Sequence, residues 1–154
     1  MCNKESITYR RACLKDLQNI QEFVDFWLSG RAVKIGGGND YFVSRSQQKG
    51  YLKNTIVLLA EMKGEIVGWA VKGRNNVLIH LLVAADYRGK GIGKKMLERL
   101  NPDVIRSKSD QMTGDPVGFY EKNGYMVFNA NTKVGKKSNI DLMIKRAQPN
   151  EKPT

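Results

Sequence analysis

The sequence predicts an α/β domain, a mixed sheet with helices on its faces. Three observations carry that prediction. The chain has 154 residues, 41% apolar and 27% charged, the size and composition of one globular core. Three apolar runs between residues 55 and 83 are joined by tight turn signals, as in hairpin-connected antiparallel strands. Beyond Gly91 the apolar spacing changes from strand period to helix period, and strand-like and helix-like segments then alternate.

The elements follow in order. Ile7-Thr8-Tyr9-Arg10 reads as a first strand. Leu17, Ile20, Phe23, Val24, Trp27 and Leu28 recur every three or four residues, a helix stopped by Ser29-Gly30, with Phe23, Phe26 and Trp27 assigned to the core. Gly36-Gly37-Gly38 reads as a loop and Asp40 to Leu52 as a weaker helix. Strands at 55–60, 66–71 and 77–83 precede a basic amphipathic helix from Gly91 to Leu100, ended by Asn101-Pro102. A strand at Val104–Ser107, a short helix at Val117–Lys122 with Asn123-Gly124 as its stop, and strands at 125–128 and 140–144 complete the pattern. A meander followed by one βαβ crossover is a mixed sheet. Residues 1–146 are expected to form one domain and the polar stretch 147–154 a disordered tail.

Several function classes are disfavoured. No apolar run approaches the ~20 residues of a membrane span, and Met1 to Glu5 lead into alternating residues without the apolar stretch of a secretory signal. Cys2 and Cys13 follow no metal-ligand or redox spacing, so no metal, a cytoplasmic setting and free thiols are expected. The charge is less ordinary. Lys and Arg number 26 against 15 Asp and Glu, a net +11 spread through both halves of the chain. An anionic ligand or partner is favoured, nucleic acid among them, although excess charge also serves solubility.

The sharpest feature is Leu81-Leu82-Val83-Ala84-Ala85-Asp86-Tyr87-Arg88-Gly89-Lys90-Gly91-Ile92-Gly93-Lys94-Lys95, a buried strand entering a loop of alternating glycines in which a helix begins. Glycines allow close backbone approach, and successive N–H groups ahead of a helix stabilise negative charge at one place. Lys90, Lys94 and Lys95 add cations around it. A P-loop fails, because Arg88 stands where its first glycine belongs and Lys95 where its Ser or Thr belongs. The dinucleotide fingerprint fails too: reading from Gly89 or Gly91 puts Lys94 or Met96 at its last glycine.

Arg-x-x-Gly-x-Gly, met by Arg88, Gly91 and Gly93, resembles the loop of the GNAT acyltransferases. Gly118-Phe119-Tyr120-Glu121-Lys122-Asn123-Gly124-Tyr125 is similar to that family's late Phe-Tyr-x-Lys-x-Gly-Phe/Tyr segment, and the layout is alike from about residue 5 to 146. The resemblance implies a GNAT-like fold, antiparallel N-terminal strands with a parallel pair splayed around the cofactor. It implies acetyl-CoA as acyl donor, with the amides of Arg88, Gly89, Lys90, Gly91, Ile92 and Gly93 on the pyrophosphate and Lys94 at the helix start. Leu82 and Val83 would offer main-chain groups to the pantetheine arm, and Tyr120 would protonate the departing thiolate.

One departure stands out. Where the family often carries Asn late in the strand before this helix, the chain has the polar run Ser107 to Pro116. Ser109 and Asp110 there, and Asp40 and Tyr41 in the variable segment 33–44, are candidate substrate contacts, with turn-satisfying hydroxyls an equal reading for the first pair. No general base stands out. His80, the one histidine, reads as a hydrogen-bonded structural residue, and neither Glu61 nor Asp86 is compelling.

The expected activity is acetyl-CoA-dependent N-acetylation of a small-molecule or peptide amine by direct attack on the thioester. Two alternatives are an adenine-modifying DNA enzyme resembling the phage Mom-type branch and a non-catalytic acyl-CoA-binding module. No membrane partner is expected, and a homodimer is compatible with the sequence.

Overall fold

The computed structural model describes residues 6–29, 43–108, 117–134 and 137–146. The triple-glycine loop, the 147–154 tail and Cys2 lie outside them, whereas Cys13 carries a free, exposed thiol. The chain divides into two compact units, Met1–Pro102 and Asp103–Thr154.

The first unit is an antiparallel meander. Strands β1 (Ile7–Arg11), β2 (Ile56–Met62), β3 (Glu65–Gly73) and β4 (Val77–Val83) lie in that order. Helices α1 (Leu17–Val24), α2 (Arg45–Asn54) and α3 (Ile92–Leu100) complete it. Val57–Ala60 and Val67–Val71 are buried as unbroken runs, the pattern of central strands covered on both faces. Register fixes the faces. Gly68 opposes Val83 and Ala70 opposes Leu81, while Trp69 opposes Leu82 and Val71 opposes His80. Trp69, Val71 and Leu82 join Ile20, Phe23 and Val24 of α1 in one apolar core.

The opposite face receives α3, and Gly68 makes room for it. A Cβ at Gly68 would stand 2.8 Å from Met96 Sδ, 3.1 Å from Ala60 Cβ and 3.4 Å from Ile92 Cγ2. Gly68→Val is therefore expected to lower stability by about 1–3 kcal/mol through overpacking, read as a reduced urea midpoint at unchanged slope. The far end of α3 is tied down by Lys72 Nζ, which donates to the Leu100 carbonyl at 2.6 Å.

Helix boundaries differ from the sequence reading for local reasons. The first helix is a 3-10 turn at Leu14–Asp16, the α-helix Leu17–Val24, and a wider π turn at Asp25–Ser29. Phe26 corrects its core assignment: past Val24 it is 68% exposed and meets the edge of half-buried Trp27. Helix α2 begins at Arg45, behind a capping box in which Ser44 and Gln47 satisfy each other's backbone N–H groups at 3.1 and 2.9 Å.

Arg10 clasps β1 to its neighbours. Its Nε donates to Glu61 Oε1 at 2.7 Å and its Nη2 to Asp16 Oδ1 at 2.6 Å. The guanidinium bonds hold the Asp16 carboxyl down at about 2, helped by the Cys13 amide. A carboxylate depressed in the folded state adds stability above its unfolded pKa and loses it as pH falls through the folded one. Arg10→Met is expected to cost about 1–2 kcal/mol at neutral pH, allowing for screening of a partly exposed pair. It should also remove this group's share of the stability loss between about pH 4 and pH 2, as thermal melts across that range would show.

The second unit places β7 (Lys137–Lys145) between β5 (Val104–Lys108) and β6 (Tyr125–Val134), antiparallel to both, with α4 (Val117–Lys122) preceding β6. The β6–β7 register shifts three times between Val127 and Val134. This strand runs well past the predicted Phe128 into Asn129-Ala130-Asn131-Thr132, residue types mostly poor in strand propensity.

Candidate active site

In the first unit the loop leaving β4 is built to expose its backbone donors. Ala84 N–H still donates to the Val67 carbonyl at 2.9 Å, continuing the β3 ladder. A 3-10 turn at Ala85–Tyr87 follows, and Arg88 folds back so that its Nε donates to the Val83 carbonyl at 3.3 Å. Val83 thus already has its carbonyl in use by the loop's own arginine. Leu82 keeps its side chain in the core at 8% exposure.

Gly89 and Gly91 take φ of +79° and +81°, the left-handed region. An added Cβ on either would meet nothing within 4 Å, so the protein leaves open space at both. Gly93 lies inside α3, so its role is separate from the two turn glycines. Gly91 is the N-cap of α3 and provides no side-chain cap. Lys95 N–H donates to the Gly91 carbonyl at 3.0 Å. The amides of Ile92, Gly93 and Lys94 precede that bond and have no acceptor within the helix. Lys90, Lys94 and Lys95 are exposed around them, with Lys90 Nζ 5.2 Å from the centre of the Tyr87 ring. The side chain of Ile92 is 2% exposed and packs inward, so only its amide faces outward chemistry. Free amides, open space and mobile cations fit a diphosphate.

In the second unit Tyr120 sits on α4, 5% exposed, with the Phe119 ring 5.3 Å away and edge-on. Asn123 Nδ2 donates to the Phe119 carbonyl at 2.8 Å and Asn123 N–H to the Tyr120 carbonyl at 3.0 Å, closing the helix. Burial raises the Tyr120 phenol well above its ordinary pKa, and Tyr125 adds to the effect. Tyr125 is itself pushed up to about 12, by burial and then by Asp103. Tyr120 is therefore a protonated phenol at neutral pH, the form a general acid requires.

Of the other candidates, Asp40, Tyr41, Ser109 and Asp110 lie outside the described residues. Glu61 is engaged by Arg10, and Asp86 is exposed in the turn before the loop. His80 has a phenol partner: its Nε2 lies 3.1 Å from Tyr51 Oη, and its ring stacks on Trp69 at 4.9 Å. Tyr51 escaped the sequence reading, although the Ser44-x-x-Gln47 capping signature marks the start of its helix. Among the described residues no three His, Cys, Asp or Glu side chains form a metal-binding group, and no helix is long and apolar enough to cross a membrane.

Comparison with known proteins agrees with this geometry. Residues 53–127 match the family model for the acetyltransferase (GNAT) domain. No curated protein matches at a significant level. A GCN5-related N-acetyltransferase from Rhodopseudomonas palustris superposes with a TM-score of 0.70 at 16% identity, over 96% of this chain and 100% of the other. The PaiA N-acetyltransferase of Thermoplasma acidophilum, solved with coenzyme A, gives 0.61 at 21% identity, over 92% and 99%. YncA of Salmonella typhimurium, solved with its cofactor acetyl-CoA, gives 0.64 at 19% identity, over 97% and 98%. At such identities the superpositions speak to fold alone. Residues 53–127 thus match the GNAT acetyltransferase family model, and the chain has the α/β fold of the acetyltransferases on which it superposes.

Proposed function

We propose that the protein is an acetyl-CoA-dependent N-acetyltransferase acting on a primary amine. The observation that carries this reading is the β4–α3 loop, where two left-handed glycines leave open space beside them and the uncapped helix start leaves its first amides without a helical acceptor. The Arg88 N–H, expected on the diphosphate, donates instead to the Ala85 carbonyl at 3.3 Å. The amides from Gly89 to Gly93 bind the diphosphate of the donor, Lys94 adds charge at the helix start, and main-chain groups of Leu82 and Val83 hold its pantetheine arm. Acetyl-CoA supplies an activated thioester. Tyr120, a phenol that is protonated at neutral pH, gives its proton to the departing sulfur. The chain would act in the cytoplasm.

Thermal melting tests the first step. A ligand at about a hundred times its Kd stabilises the native state by about 2.7 kcal/mol, so acetyl-CoA at millimolar concentration should raise the midpoint by several degrees. No shift would end the proposal. The acceptor is then found by mass spectrometry of candidate amines after incubation with labelled acetyl-CoA.

The net +11 supports a second reading, in which the acceptor or a partner is nucleic acid. Electrophoretic shift of duplex DNA at two salt concentrations separates the two. Salt-sensitive binding near physiological ionic strength favours the second, and its absence leaves small-molecule or peptide amines.

A further inference from the structure

We infer that Tyr51 and His80 form the proton-accepting pair for the acceptor amine, an assignment that rests on the acyl-transfer reading above. A primary amine is an ammonium at neutral pH and must shed a proton before its nitrogen can attack. Imidazole is the side chain whose ordinary pKa suits that task. The chain has one histidine, and its surroundings hold it in a set orientation.

Tyr51 Oη lies 3.1 Å from His80 Nε2, the Tyr51 ring meets the imidazole edge-on at 5.5 Å, and Trp69 stacks on it at 4.9 Å with an interplanar angle of 24°. Both Tyr51 and His80 are half-buried, so solvent reaches them. From α2 Tyr51 faces the imidazole. From β3 it meets Trp69 and, at its register position, Val71, neither of them charged.

Asp16 and Glu61 bind Arg10, and Asp25 accepts from Gln21 Nε2 at 2.9 Å. Two buried side chains on α2 and β3 keep unspent polar groups. Gln48, one helical turn before Tyr51, is fully buried with neither amide atom hydrogen-bonded, and buried Trp69 Nε1 is likewise unpartnered. A buried polar atom left unpaired costs about 1–3 kcal/mol. The three atoms lie on α2 and β3, the two elements that carry Tyr51 and Trp69 against the imidazole.

The step balances as follows. An ammonium N–H bond breaks and its proton passes to Tyr51 Oη, while the Tyr51 hydroxyl proton moves to His80 Nε2 and leaves an imidazolium. The freed lone pair forms the C–N bond as the C–S bond breaks. Tyr120 protonates the sulfur and recovers a proton from the new amide nitrogen, and His80 returns its own to solvent.

A single histidine gives a single imidazole Cε1–H signal, which can be followed by NMR from about pH 5 to pH 9 in the intact chain, with n-butylammonium as probe and acetyl-CoA present. The inference expects a titration whose midpoint moves in Tyr51→Phe and a signal that shifts when the amine is added. In parallel, release of CoA thiol with n-butylamine should fall about a hundredfold at pH 7 in Tyr51→Phe and in His80→Gln. The loss should narrow as pH approaches the amine's own pKa, with KM for acetyl-CoA unchanged. An imidazole that does not titrate in that range, or that ignores both the amine and Tyr51→Phe, overturns the pair. If acetyl-CoA binds and the imidazole is unresponsive, the inference alone falls; if acetyl-CoA does not bind, the acyl-transfer reading falls and takes the inference with it.

Discussion

Tyr120→Phe is expected to reduce turnover about a hundredfold or more while acetyl-CoA affinity stays within about twofold. The substitution removes one hydroxyl from a side chain that is 5% exposed, so the ring that packs beside Phe119 is kept. What disappears is the proton proposed for the leaving sulfur. Because burial raises the phenol's pKa, its acid form persists above neutral pH, and the parent's activity should hold through the range where an ordinary tyrosine begins to ionise. The same shift has a cost at high pH. Unfolded tyrosine loses its proton near pH 10, whereas buried Tyr125 does so only at about 12 and Tyr120 higher still. The unfolded state therefore binds fewer protons over that interval, and stability declines as pH rises through it. Tyr120→Phe should lessen this decline. Steady-state kinetics with titration calorimetry reads the first effect, and alkaline melts read the second. Full parental turnover in the variant would remove Tyr120 from the chemistry.

Gly91→Ala should weaken acetyl-CoA binding at least tenfold. At φ +81° and ψ +8° an L-residue bears a penalty of about 1–2 kcal/mol, which the loop can escape only by turning its amides away. Nothing in the protein lies within 4 Å of the new methyl group, so packing is not disturbed. The methyl group instead enters the space proposed for the diphosphate. Calorimetric titration of acetyl-CoA and of CoA should show the same loss for both, because the contact involves the shared diphosphate and not the acetyl group. An unchanged Kd would detach this loop from donor binding.

Much of this architecture was legible beforehand. The β2–β3–β4 meander follows from apolar runs separated by short turns, since a tight turn leaves antiparallel pairing as the available arrangement. Helix α3 follows from its period and from Asn101-Pro102, and the observed helix ends one residue before Asn101. The turn glycines ahead of α3 were readable because glycine spacing reports backbone freedom directly. Phe26 shows the limit: a π turn after Val24 changes which residues face inward, and periodicity assumes a constant turn. The placement of β7 between β5 and β6 lies beyond local pattern, because strand order is a choice among non-local pairings.

By itself the sequence determined the elements, the loop that concentrates amides, and the aromatic helix bearing Tyr120, because each depends on residues adjacent in the chain. Only the tertiary structure decided which groups remain available. Arg10 draws Glu61 out of contention across a strand pair, and Tyr51 meets His80 from 29 positions away. Burial then raises the pKa of the Tyr120 phenol. Hydrogen-bond partnership and solvent exclusion are set by residues distant in sequence, and no local pattern encodes them.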